Sequence, residues 1–520
     1  MSSVVSDMAE HPVEAPGQRR RGPTWVRFAL GAVVLLLVAG AAAALAREMP
    51  RTVTLSLLLA VCFAVVALAY LGRFLSPTAL LAGAVCLQVF SSNWYLLKVP
   101  LGLDRVLLVA ALMALLRDVF AGRLSLRTRW SAVHVVLATL AVWATASAVV
   151  AGTLWSTRGA FALLDRLGLV PFLCFGLAPV LFRTREQRNV LLVAFVALGA
   201  YLGLTALFEG FGLKQLVFPR YILDPEVGAH AERARGPFLE GVANGLGLYF
   251  CAVLSFVAYR TWGHRAARLT AGLVCTLCLV GTVFTLTRAV WLATVVATLT
   301  AMLWDSRYRR RLPAVLAAGI GVVVLLYIAL PGFAERATSR TREQQPIWDR
   351  YNTNVAALRI VKDRALTGIG WQRFTEDGPA WLRQAGDYPL TGVGIEVHNV
   401  FLSHLAELGL LGGSLFLLAL TMAVGRVVFA RCTPDTAVFR TSLVAIAAAW
   451  FVVASFGPLS YALPNTLLWL WAGLAFEAVR SPASADEPAD AAPGPDGPAG
   501  VGGAPDRTGL PWDRPAGLPT

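Results

Sequence analysis

The chain has 520 residues, 57% of them hydrophobic and only 15% charged, with a mean hydropathy of +0.64. Soluble domains carry roughly 25% charged residues, and the apolar residues here come in runs of about 16 to 22, enough to cross a hydrocarbon core of about 30 Å. The formal charge of +14 is dispersed among the short segments between those runs, which fits positive-inside asymmetry and speaks against nucleic acid as a partner.

Residues 1–24 are polar and end in Arg19-Arg20-Arg21, as a disordered cytoplasmic tail would. Apolar segments follow near 25–46, 52–71, 77–97, 101–118, 131–151, 167–182, 189–210, 240–259, 268–287, 289–304, 312–331, 400–428, 438–456 and 463–479. The first is too long for a cleavable signal and reads as a spanning helix. The short segments 101–118, 167–182 and 289–304 read either as spans or as interfacial or re-entrant pieces. The expected fold is therefore an all-α polytopic integral membrane protein with about 12–14 transmembrane helices. Residues 25–331 form a transmembrane bundle, 332–399 a large extracytoplasmic loop, and 400–479 the C-terminal spans. Residues 480–520, rich in Pro, Gly, Ala and Asp, lack the apolar content to fold and read as a second cytoplasmic tail. Among the seven cysteines, Cys275 and Cys278 form a C-x-x-C inside an apolar run, where they read as small core residues.

With the N-terminus in the cytoplasm and sides alternating through fourteen spans, the arginines near 117–129, 183–188, 260–268 and 307–311 fall on the inner side. Arg47 and Arg51 fall outside and break the pattern. Both termini are then cytoplasmic. The segment 211–239, the tight turn at Thr287-Arg288 and the loop 332–399 all lie on the opposite face. Within that loop Pro346 suits a first helical turn, and Ile347, Tyr351, Val355, Leu358 and Val361 recur at spacings of three or four. This predicts an amphipathic helix ending before Gly368, lying on the membrane surface or packed over the bundle. ALTGIG (365–370) is echoed by PLTGVG (389–394), and the loop reads as a folded cap.

Three arginine-bearing stretches share the outer face with His398: Arg233 and Arg235 before Gly236-Pro237, Arg288 between two apolar runs, and the cap helix with Arg350, Arg359, Lys362 and Arg364. Guanidinium forks pair two at a time with phosphate oxygens, so this grouping points to a phosphate-bearing lipid. The plainer readings are a solvated loop pair for Arg233 and Arg235, a snorkelling side chain for Arg288 and a solvated face for the cap helix. For His398 the alternatives are a helix-capping or solvated side chain and a general base, since a neutral imidazole can accept a proton from an attacking hydroxyl. Asn399 adjoins it, and Glu407 lies about two turns further on. His404 is six residues away, on another helix face. No metal-ligand spacing of the H-E-x-x-H kind occurs.

RARGPF…N (233–244), TRAVWL (287–292), HNVFLSHLAELGLLG (398–412) and, less closely, LRIVKDRALTGIGWQRF (358–374) together resemble the O-antigen ligase and polymerase superfamily of bacterial envelope enzymes. The family often has Ser where Thr287 stands and Pro where Ala243 stands. The resemblance implies a cytoplasmic-membrane glycosyltransferase that uses a polyprenyl-diphosphate-linked glycan donor, a glycan or lipid acceptor and no metal or other cofactor. Carried over, Arg288 and one of Arg233 or Arg235 hold the diphosphate, His398 activates the acceptor hydroxyl, and Asn399 supports it. Glu407 is a supporting group or a helix-packing polar residue. Trp371, Trp381 and Tyr388 either stack on sugars or pack the loop. Ligase and polymerase remain open. The rival class is a transporter or flippase of lipid-linked saccharides, which would place charges deep in the bundle and often show related halves.

Overall fold

The computed structural model describes residues 76–99, 102–124, 130–329, 335, 344–390, 394–430 and 433–480. The two tails, the candidate spans 25–46 and 52–71, and part of the PLTGVG echo lie outside the described residues. The long helices are α1 (Pro77–Leu87), α2 (Leu103–Phe120), α3 (Ala132–Val150), α4 (Leu169–Leu181), α5 (Arg185–Gly210), α6 (Gly241–Thr261) and α7 (Arg265–Phe284). They continue with α8 (Arg288–Trp304), α9 (Leu312–Ala329), α10 (Gln345–Asp363), α11 (Val400–Leu420), α12 (Pro434–Phe456) and α13 (Ala462–Arg480). Among the described residues, eight helices are long and apolar enough to cross a membrane, and three shorter ones are also apolar. The protein is an all-α, multi-pass membrane protein.

Local chemistry sets the helix starts. Ser76 accepts from the N–H of Ala79 (3.1 Å) with Pro77 in the first turn of α1. Thr184 and Gln187 form a reciprocal capping box at α5 (3.2 and 3.0 Å). The predicted span 77–97 is shorter than expected: α1 stops at Leu87 and gives way to 3-10 turns at Gln88–Phe90 and Trp94–Leu97. A π-turn at Ala162–Leu167 leads into α4 through Gly168, whose φ of 122° no L side chain adopts readily.

Helices α6 and α13 form the centre, each 83% buried over its spanning window, whereas α3 is only 28% buried and shows the rest of its apolar surface outward. Helix α6 packs against α5 and α7, α8 against α12, and α13 against α4 and α12. Small residues allow the close approach: Cys278 donates to the carbonyl of Gly199 (3.2 Å), and a Cβ at Gly199 would meet Cys251 at 3.0 Å. Cys278 is thus a buried core thiol and Cys275 a half-buried one. Helix α9 is apolar yet exposed along most of its length, as a lipid-facing helix is.

Helix α10 forms where the apolar spacing predicts it, with Pro346 in its first turn. Its buried face is different. Ile347, Tyr351 and Leu358 are exposed, while Ala356, Ala357 and Ile360 pack with Phe374, Val397 and Ala406 in a small core of their own. The small residues let α10 approach the N-terminal half of α11, which the larger side chains would hold away. The cap is thereby fixed on α11, the helix that follows His398.

Candidate functional site

The segment bearing Arg233 and Arg235 is anchored from beneath. The Glu209 carboxylate, at the end of α5, accepts the N–H groups of Arg235 and Gly236 (both 3.1 Å). Gly236 has φ 52°, and a Cβ there would lie 2.5 Å from Asn244 Oδ1. Asn244, in the first turn of α6, donates to the Ala234 carbonyl (2.9 Å). The Arg235 side chain turns inward and is 1% exposed. Its guanidinium donates to the carbonyls of Ile222 (3.0 Å), Val227 (2.7 Å) and Asp224. Arg235 is therefore occupied in holding the 222–227 loop.

Arg233 is half-buried and points elsewhere. Its Cδ would lie 3.5 Å from a Cβ at Gly241, which would also meet Thr287 Oγ1 at 2.9 Å. Arg233 thus flanks the turn that launches α8. That turn is tight, as predicted: Leu286 has φ 48°, Thr287 Oγ1 donates to the Thr285 carbonyl (2.8 Å), and Arg288 is the first residue of α8. Arg288 is half-buried there, beside N–H groups that carry the positive end of the helix dipole.

The cap supplies a further cation. Arg350 on α10 is half-buried, with its Nε enclosed and lacking a hydrogen-bond partner among the described residues. Burial and then the charge of Arg288 disfavour its charged form, with Asp349 opposing. His398 in turn feels Arg350: burial and then that guanidinium hold its imidazole below its ordinary value. The Glu396 backbone carbonyl and the carboxylates of Asp349 and Glu396 pull the other way. Its Nδ1 is buried and lacks a hydrogen-bond partner among the described residues. Arg288, Arg350 and His398, drawn from three distant stretches, thus share one electrostatic neighbourhood.

Asn399 is the N-cap of α11, accepting from the N–H of Leu402 (3.0 Å) and donating to the Ser455 carbonyl (3.4 Å). It fixes where the helix begins, and so where His398 sits. Glu407 belongs elsewhere. Helix α11 breaks at Gly409 (φ 70°), and a Cβ there would run into the Leu366 carbonyl. The first ALTGIG copy docks into the break: Ile369 and Gly370 donate to the carbonyls of Ala406 and Glu407 (3.0 Å each), and Leu410 donates to that of Ala365 (2.7 Å). Trp143 of α3 donates to the Leu408 carbonyl (3.1 Å). The 2% exposed Glu407 carboxylate faces the N–H groups of Gln372 and Phe374. It ties the cap to the broken helix. Irregular backbone among spanning helices needs such partners.

His404 is wholly buried against Trp371 and Phe416, ring centroids 5.7 and 4.5 Å away. Trp371 is itself a core residue, and Trp381 donates to Asp363 (2.7 Å) beside the cap core. Of the three aromatics considered for sugars, Tyr388 is the most exposed, its ring tilted at 34° to that of Tyr351 (centroids 4.5 Å). No group of three or more His, Cys, Asp or Glu side chains suited to a metal ion occurs among the described residues.

Two features escape sequence reasoning. The apolar stripe of α10 points to its large residues as the packing surface and leaves Arg350 on a solvated face, whereas the small-residue face is the one that packs. Arg166 lies in the π-turn before α4 and is 5% exposed. It donates to Ser403 and lies 3.8 Å from Glu396. The preceding Asp165 pairs with Arg105, which also approaches Asp104 (3.4 Å). A second Asp-Arg doublet against an apolar run is the signal that could have found it, matching the one at Asp104-Arg105.

No curated protein matches the chain. Residues 271–417 match the family model described as O-antigen ligase, a stretch from α7 into α11 that holds Arg288, Arg350, His398, Asn399 and Glu407. Over this stretch, a little over a quarter of its length, the chain is similar to the O-antigen ligase family.

Proposed function

We propose that the protein is a membrane glycosyltransferase that moves a glycan from a polyprenyl-diphosphate carrier to an acceptor hydroxyl on the outer face of the bacterial cytoplasmic membrane. The observation that carries this reading is the succession of Arg288, Arg350 and His398, each arginine close enough to act on the next group, with the histidine biased toward its neutral form. Arg233, whose Cδ lies with Thr287 beside Gly241, is assigned to the same diphosphate. Arg235, committed to three carbonyls, is released from the diphosphate role.

In the reaction, neutral His398 takes the proton of the acceptor hydroxyl as its oxygen forms a bond to the anomeric carbon. The bond from that carbon to the diphosphate oxygen breaks, and the electron pair leaves with the diphosphate. Attack from the opposite side inverts the anomeric centre. The developing anion is met by guanidiniums and by the N-terminus of α8, where one well-placed donor is worth about 2.7–4 kcal/mol. The polyprenyl chain lies among the spanning helices, and the cap covers the glycan.

The test is to supply purified protein in lipid nanodiscs with a lipid-linked glycan and acceptor, and to follow release of polyprenyl diphosphate. Release coupled to a new glycosidic bond is expected; none under any acceptor condition contradicts the reading. A ladder of growing glycan identifies a polymerase, and one-step transfer to a different carrier a ligase. The part-buried Arg105–Asp165 pair is a feature that favours a transporter of lipid-linked saccharides. Flux in proteoliposomes without bond formation is the outcome that reading requires.

A further inference from the structure

Glu396 stands two residues before His398, and its carboxylate is gripped from three separate elements. Arg158, in the short helix before the π-turn, meets Oε1 at 2.8 Å. Ser460, in the connection between α12 and α13, donates to Oε2 at 3.0 Å. Arg166 lies 3.8 Å from Oε2 and also donates to Ser403, one turn into α11. Arg166 therefore holds the chain on both sides of His398, at 396 and at 403. Its side chain is 3% exposed and sits over the Trp371 ring (5.9 Å to the centroid). Such a buried guanidinium needs its anion, because desolvation costs more than a single hydroxyl contact returns. One guanidinium thus ties Glu396 and Ser403 together and fixes the short stretch between them, His398 included.

We infer that Glu396, clamped by Arg158, Arg166 and Ser460, is a positioning residue that holds His398 in place and balances the charge His398 acquires when it takes a proton. This rests on the reading of His398 as the general base. The balance is needed because the other charges around the ring are mixed. Arg350 on α10 opposes protonation, and Asp349 on the same helix favours it. Arg288 acts at one remove through Arg350. Glu396 acts from the histidine's own loop, through both its backbone carbonyl and its carboxylate. Its surroundings keep it charged. Burial pushes its carboxyl up, but Arg166, Arg158 and Ser460 outweigh burial and hold it ionised, below the usual carboxylate range.

The experiment compares the pH dependence of kcat/KM for the native protein and for Glu396→Gln, with donor KM and thermal unfolding in detergent measured alongside. A base works deprotonated, so the native rate falls on the acid side as His398 protonates. Removing the Glu396 charge makes His398 harder to protonate. The acid limb should move to lower pH, and kcat on the plateau should drop about tenfold as the base weakens, with donor KM within about twofold of native. Glu396→Asp, which retains the charge, should restore the limb toward its native place. A merely structural role would lower the unfolding temperature and leave the limb fixed, and a fixed limb overturns the inference. If Glu396→Gln does not fold, Arg158→Met loosens the clamp at a side chain that is 61% exposed. A loss of about threefold in kcat at unchanged donor KM is then expected, and unchanged kcat overturns the inference. Should His398→Gln retain native activity, the general-base reading itself fails; a dead His398→Gln beside an unmoved limb in Glu396→Gln removes only the positioning role.

Discussion

Arg105 and Arg288 both stand in the first turn of an apolar helix, where the helix dipole disfavours a cation. Their surroundings differ. Arg105 is met by Asp165 and Asp104, and Asp104 is itself held by Ser91 and the Trp94 indole (2.8 Å each). Arg288 stands near a second guanidinium, Arg350, across the bundle–cap boundary, and Arg350 also feels the carboxylate of its neighbour Asp349. One arginine between two carboxylates stabilises a scaffold. A second guanidinium near a helix N-terminus makes instead a setting that suits an anionic ligand.

The contrast can be broken most forcefully at the histidine beside the arginine pair. His398→Ala should lower kcat about 10²- to 10⁴-fold, while thermal unfolding in detergent stays near native. Equal losses of rate and stability would make His398 structural. At the Arg105 site the pattern reverses: Arg105→Leu strands a buried carboxylate and should destabilise the fold by about 3–5 kcal/mol, read from denaturation of the detergent-solubilised protein. The smallest effects sharpen the comparison within one loop. Arg235→Ala leaves three carbonyls without their donor and should cost about 1–3 kcal/mol of stability. Arg233→Ala should leave the unfolding curve in place and weaken donor binding instead.

The helices are legible in the sequence because burial in lipid demands long apolar runs. The borders of α3 and α6 fall within a few residues of expectation, and the span that α11 opens runs on to Val428 through a π-turn. Alternating sides through fourteen spans sets Arg288 and His398 on one face in the sequence, but it does not single out Arg350, through which the two are linked. The roles of Arg233 and Arg235 are not legible either. Both flank the same Gly-Pro turn, and only the carbonyls of the 222–227 loop decide which turns inward. The break at Gly409 is hidden because apolar residues continue on either side, and its stabilising partners come from ALTGIG, some forty residues earlier. Arg350 is hidden for a related reason. Hydrophobic spacing locates α10 correctly, but close packing favours its small residues over its large ones.

The central claim is that Arg288 and Arg350 hold one diphosphate beside His398. It is tested most directly by measuring polyprenyl diphosphate affinity in nanodiscs for the native protein, Arg288→Ala, Arg350→Ala and the double variant. A shared site predicts that each single change weakens binding at least tenfold and that the double variant loses clearly less than the product of the two. Losses that simply multiply, or a single variant that binds as tightly as the native protein, would contradict it.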